Sequence, residues 1–197
     1  MGLIKLSLKA HISVFIFLLI VFAFQFEVIK PTETLLLPLD VLDADRASYF
    51  FLPHGVKVLI GFLLGLVSLP AVFLAQVVGA LLHFDMEPSI ALLAAAFGTI
   101  AVYVPVLLLN YMLAQPLGGS VPAKHHQIGY FRVYLALVVM STFLHATLHS
   151  AVFHYENSIS LPFKYLVGDV VGASFVFGVA LLFRHYIAKK LVEMSRG

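Results

Sequence analysis

Six apolar runs with hardly a charge inside them take up most of the chain: residues 11–29, 55–68, 70–84, 88–114, 130–154 and 162–188. A helix needs about 20 apolar residues to cross the hydrocarbon of a bilayer. Four of the runs meet that length. The second and third are shorter and are separated only by Ser68-Leu69-Pro70. Composition points the same way, because 61% of the residues are hydrophobic and 11% are charged, against about 25% charged in an ordinary soluble domain. The pattern predicts an all-α fold, a polytopic transmembrane helical bundle forming a single integral membrane domain over residues 1–197 in the lipid bilayer. No stretch is polar enough to build a soluble domain beside it. The first run is too long for the apolar core of a signal peptide and lacks a small-x-small cleavage site after it, so a retained span is expected.

Loop charge sets the orientation. Lys5 and Lys9 precede the first run, and Arg184, Lys189, Lys190 and Arg196 accompany or follow the last. The positive-inside rule then places both termini in the cytoplasm, which requires an even number of crossings. Six spans satisfy this, with 55–68 and 70–84 as two short ones. They put Lys124 and Arg132 inside, and Glu33, Asp40, Asp43, Asp45, Asp85, Glu87 and Glu156 outside. Segment 30–53, which contains "TETLLLPLDVLDADRASYF", mixes acids and a proline with apolar residues. It reads as interfacial or re-entrant. The net charge of +2 is spent on topology, and no nucleic-acid partner is expected.

Ionisable groups within spans are costly and commonly functional. Asp169 lies inside the last run, and Lys57 lies two residues beyond the Pro53-His54-Gly55 step that opens the second. The predicted topology puts both toward the outer side at similar depth. His54, Lys57 and Asp169 are therefore the candidate ligand-binding residues of an outward-facing polar pocket. Two structural readings stand beside this one: a Lys57–Asp169 ion pair that keeps the helices in register, and a Lys57 that reaches back to the headgroups. His145 and His149 are four apart and share one helix face. That spacing suits a metal ion or a haem, with further ligands among His54, His83 and His154, although hydrogen bonds between helices would explain it as well. His125-His126 belongs to a solvated basic turn. The absence of cysteine excludes disulfides, thiolate metal sites and thiol catalysis. No serine–histidine–acid set, phosphate loop or carboxylate pair falls on one face, so a binding protein rather than an enzyme is expected, with no obligatory cofactor.

Small residues four apart let helices approach closely. Gly61 with Gly65, Gly168 with Gly172, and Ser174 with Gly178 have this spacing, and they are expected at helix contacts.

Two stretches resemble the bacterial membrane-associated sensor domain of the first MASE type. "FFLPHGVKVLIGFLLGLVSLPAVFLAQVVGALL" is similar to that family's proline–x–glycine opening, through Pro53 and Gly55, followed by a turn with proline at Pro70. "KYLVGDVVGASFVFGVALL" is similar to its late helix, through Gly168, Asp169 and Gly172. The family has more spans and more tryptophan, of which this chain has none. The resemblance implies small-molecule sensing in the bacterial inner membrane and signalling to partner proteins, membrane or cytoplasmic, such as kinases and cyclases. Two other readings share the outline of the chain. One is the substrate-binding component of an energy-coupling-factor uptake transporter; the other is a structural or assembly subunit of a membrane complex.

Overall fold

The computed structural model describes residues 7–36, 48–84, 86–113, 127–152, 160–187 and 189. All regular structure among them is helical. The helices are α1 (Leu8–Phe24), α2 (Lys30–Leu36), α3 (Leu52–Leu64), α4 (Leu69–His83), α5 (Pro88–Leu113), α6 (Gln127–Val152) and α7 (Ser160–Leu182). Five helical segments are long and apolar enough to cross a membrane: Leu8–Leu36, Leu52–His83, Pro88–Met112, Phe131–Ser150 and Pro162–Leu182. This marks a multi-pass membrane protein. Most of its exposed large side chains are apolar, among them Ile12, Ile16, Ile20, Leu107, Val139, Phe143 and Phe175. They form the surface that hydrocarbon would solvate.

Local chemistry explains where the helices begin. Ser7 caps α1 by accepting from the Ala10 amide at 3.3 Å. Pro53 and Pro70 sit in the first turns of α3 and α4, where a missing amide hydrogen costs nothing. The Pro53-His54-Gly55 step is thus a helix start and not a break. α1 does not stop at Phe24. It passes through a π turn at Gln25–Ile29, where the Lys30 amide bonds the Gln25 carbonyl, and continues as α2.

The 52–83 stretch folds back on itself. Drawn as one straight helix, its 32 residues would hold Leu52 and His83 about 48 Å apart. Instead Gln25 accepts from the Leu52 amide, while the next residue, Phe26, stacks on His83 at 5.0 Å. Both feet of the stretch therefore stand at the C-terminal end of α1. The reversal comes at Gly65–Ser68, a single 3-10 turn, with Gly65 at φ 66 in the left-handed region that side chains avoid. The Ser68 hydroxyl bonds the Gly65 carbonyl at 2.8 Å and the Tyr103 hydroxyl at 2.8 Å, which pins the tip to α5. The expectation for 55–68 and 70–84 thus becomes specific. They are the two arms of a hairpin, of 13 and 15 residues, or about 20 and 22 Å each, short of a hydrocarbon core about 30 Å thick.

Cross-contacts fix the directions. α3 runs parallel to α7, as Phe51 bonds Gly168 and Gly55 abuts Ala173. It runs antiparallel to α6, with His54 against Ser141 and Phe62 against Tyr134. α1 is parallel to α4 through Phe22 on Gly79 and Phe26 on His83. The start of α1 and the end of α7 consequently lie at one end of the bundle, with Lys9, Arg132 and Arg184 placed toward it. Glu27, Glu33 and Glu87 lie toward the other end.

α3 packs against α1, α5, α6 and α7 and is the innermost helix. The N-terminus of α3 does not meet water, and Leu52 through Val58 are buried without exception. Gly168 and Gly172 make the close approach possible. A Cβ at Gly168 would collide with the Ser48 carbonyl oxygen, and one at Gly172 with that of Phe51. Gly61 lies against Val102 and Val106 of α5. Gly65, expected at a helix contact, makes the hairpin turn instead. Gly178 meets no described atom within 4 Å of where its Cβ would be. Of the 30–53 segment, Lys30–Leu36 extends the first helix and 48–51 is tucked beside α7. The remainder from 37 to 47 lies outside the described residues, as do His125, His126 and His154.

Candidate functional site

Three helices bring their polar side chains to one place near the feet of the hairpin. α3 contributes His54 and Lys57, one turn apart. α6 contributes Ser141, His145 and His149, which its 3.6-residue period sets on one face. α7 contributes Asp169, between the two glycines that seat the α3 N-terminus. His54 and Asp169 have no exposed surface, and Lys57 has 2%.

Asp169 is held by histidine. Its Oδ2 lies 2.6 Å from His145 Nδ1 and 3.7 Å from His54 Nδ1. The other nitrogen of His54, Nε2, is 3.2 Å from Ser141 Oγ. The three imidazoles form a row along the site, tilted against one another by 32° and 48°, with ring centroids 4.7 Å apart from His54 to His145 and 4.1 Å from His145 to His149. Tyr165 of α7 closes one flank, edge-on to both His145 and His149 at 5.9 Å.

Lys57 faces a different partner from the one expected. Its ammonium donates to Gln76 Oε1 of α4 at 2.7 Å, and no carboxylate among the described residues lies within 4.0 Å of it. The Lys57–Asp169 ion pair therefore does not form, because His145 occupies the carboxylate and Gln76 the ammonium. Nor does the lysine reach back to headgroups, since α3 is inside the bundle. Gln76 is itself fixed, donating through Nε2 to Thr99 Oγ1 at 2.7 Å and to the Ala95 carbonyl at 3.5 Å. Gly98 leaves the room for this: a Cβ there would fall on Gln76 Oε1 and come within 3.4 Å of Lys57 Nζ.

A cavity of about 50 Å³ adjoins these groups, large enough for a few water molecules. Lys57, Gln76, His145, His149 and Tyr165 supply its polar wall, and Phe22, Phe51 and Phe84 much of the apolar one. His54 and Asp169 lie behind this wall, reached through His145.

The structure thus gathers His54, Lys57, Asp169, His145 and His149 into one neighbourhood, as two linked halves. One half is the His54–His145–Asp169 cluster and the other is the Lys57–Gln76–Thr99 network. His83, considered with them as a ligand, stands apart against Phe26. Two glutamines escaped notice in the sequence. Gln76 anchors the lysine. Gln25, fully buried, supplies the acceptor for the first amide of α3 and donates to Ser48 Oγ and the Phe50 carbonyl, each at 3.0 Å. Their signal was present, since each is an amide inside an otherwise apolar run, and a buried amide must find partners.

No family model, curated protein or solved structure matches the chain.

Proposed function

We propose that this is a membrane receptor that binds a small anionic ligand at Lys57 and reports its presence to partner proteins. The observation that carries the reading is the state of the Lys57 ammonium. It is buried, lines a cavity, and makes its bond to a neutral amide instead of a carboxylate. An ammonium has three donors, and a charge withdrawn from water calls for a counter-charge. A small carboxylate in the cavity would supply it, with His149 and Tyr165 as polar neighbours and the phenylalanines against its apolar part. Binding without covalent chemistry fits this arrangement.

The same bond suggests how occupancy is transmitted. Lys57 and Gln76 tie one arm of the hairpin to the other, at a distance from the turn. An anion that takes the ammonium competes with Gln76 and changes how tightly the arms are joined. α3 also packs against α1, α5, α6 and α7, so a shift there moves the bundle. In this reading both ends of the chain face the cytoplasm of a bacterium, at the end bearing Lys9, Arg132 and Arg184. The hairpin enters and leaves from the outer side, which preserves the even count of crossings whether or not its arms are counted. The likeness of 50–82 and 164–182 to the first MASE type supports a sensor role in the inner membrane.

The test is a thermal-unfolding titration of the purified protein with acetate, propionate and chloride at fixed ionic strength. A saturable rise in unfolding temperature with a carboxylate, lost in Lys57→Met, is the expected result. Equal responses to all salts in the wild type and in Lys57→Met would sink the reading.

A further inference from the structure

The donor atoms of His54, His145 and Asp169 come from three helices and lie within 4.8 Å of one another. Among the described residues, two atoms of this set have no hydrogen-bond partner although both are fully buried: His54 Nδ1 and Asp169 Oδ1. Native structures rarely leave such atoms orphaned without a missing water or ion. Two imidazoles and a carboxylate offer lone pairs, which excludes an anion and favours a cation. That donor mixture suits divalent first-row transition ions, zinc(II) above all, rather than magnesium or calcium, which prefer oxygen throughout.

The outer bonds of the cluster fit as well. A metal-bound histidine commonly donates its second nitrogen to a fixed acceptor. His54 Nε2 has Ser141 Oγ at 3.2 Å for that purpose. When Nε2 is the donor, Nδ1 presents a lone pair on the side of Asp169 Oδ2, 3.7 Å away, where an ion would sit between them. Bonds of about 2.0–2.1 Å in a tetrahedral site hold neighbouring donors about 3.4 Å apart. The His145–Asp169 and His54–Asp169 separations, 2.6 and 3.7 Å, lie on either side of this value, and all three donors lie within 4.8 Å of one another. His149 stands beside His145 and lines the cavity, giving an ion a way in and a further donor on the open side.

We infer that His54, His145 and Asp169 form a binding site for one divalent transition-metal ion of the zinc class, with His149 at its entrance. The site is distinct from the Lys57–Gln76 half of the cavity, and neither reading depends on the other.

Cobalt(II) is the probe. The chelator-stripped protein, in lipid nanodiscs, is titrated with cobalt(II) and then with zinc(II). One equivalent per chain should produce the intense visible bands of four-coordinate cobalt, and zinc should displace them. Asp169→Asn and His54→Gln should each weaken binding by more than tenfold, while His83→Gln leaves stoichiometry and bands in place. Wild-type protein without saturable bands overturns the inference and leaves the cluster as a hydrogen-bonded relay. So does a triple variant, His54→Gln, His145→Gln and Asp169→Asn, that binds as the wild type does. Should a variant fail to fold, the wild type still decides: one equivalent of zinc(II) must raise its unfolding temperature, and no rise refutes the site.

Discussion

The bond between Lys57 and Gln76 joins the two arms of the hairpin inside the bundle, and a double-mutant cycle measures it. Gln76→Leu removes the acceptor 2.7 Å from Nζ, and with it the bonds to Thr99 and Ala95. A hydrogen bond to a charged group contributes about 1.5–3 kcal/mol, whereas bonds between helices of a membrane protein average about 0.6 kcal/mol. Gln76→Leu alone should therefore cost about 2–4 kcal/mol, the sum of the charged bond and the weaker neutral ones. Lys57→Met removes the bond but also a buried charge, so it should cost less, about 1 kcal/mol or nothing. The double variant leaves no ammonium unpaired and should therefore cost less than Gln76→Leu alone, about 1–2 kcal/mol, so the coupling comes out at about 1.5–3 kcal/mol. The assay is reversible unfolding in mixed micelles, followed by far-ultraviolet circular dichroism, because the chain has no tryptophan to report. A coupling at or below about 0.6 kcal/mol would refute the reasoning, since the bond would then be no stronger than an average neutral one.

The remaining predictions concern glycines and use the same unfolding assay. Gly168→Ala should destabilise by about 1–3 kcal/mol, because the new methyl group meets the Ser48 carbonyl and must push the α3 entrance off α7. Gly178→Ala, where the methyl group finds open space, should be neutral or stabilising by up to about 1 kcal/mol through helix propensity. Gly65→Ala places a Cβ at φ 66 and should cost about 1–2 kcal/mol. A harmless Gly168→Ala would mean that α3 and α7 are not packed as described, and a harmless Gly65→Ala that the turn is not.

Apolar run lengths were enough to read the helices, since each of the six runs corresponds to one helix of the bundle. What run length does not encode is which helix goes inside. α1, α4 and α5 are at least as apolar as α3; α3 is central because Gly55, Gly168 and Gly172 let backbones meet there. Loop charge gives the depth of Lys57 but not the helices that enclose it. The ionisable residues of the site were legible because charge stands out in an apolar stretch. Their partners were harder to read, because pairing by sign favours Lys57 with Asp169, whereas the structure satisfies each with an uncharged or aromatic group from a third helix. The fold-back at Gly65 was visible only as an ambiguity between two short spans and one kinked one. Left-handed backbone is a property of conformation, and the sequence offers glycine at many positions that never use it.

The π turn in the first helix has a consequence for alignment. Gln25 and Glu33 are eight residues apart, and in an uninterrupted α-helix their directions would differ by about 80°. The wider turn at Gln25–Ile29 takes up that difference. Both side chains then converge on one hydroxyl: Gln25 donates to Ser48 Oγ at 3.0 Å, and Ser48 donates to Glu33 at 2.7 Å. One surplus residue thus works as a phase adjustment. It lets a single membrane helix hold the entrance strand of α3 at two points, and losing one residue anywhere between 25 and 29 would leave that strand with only one of its two anchors.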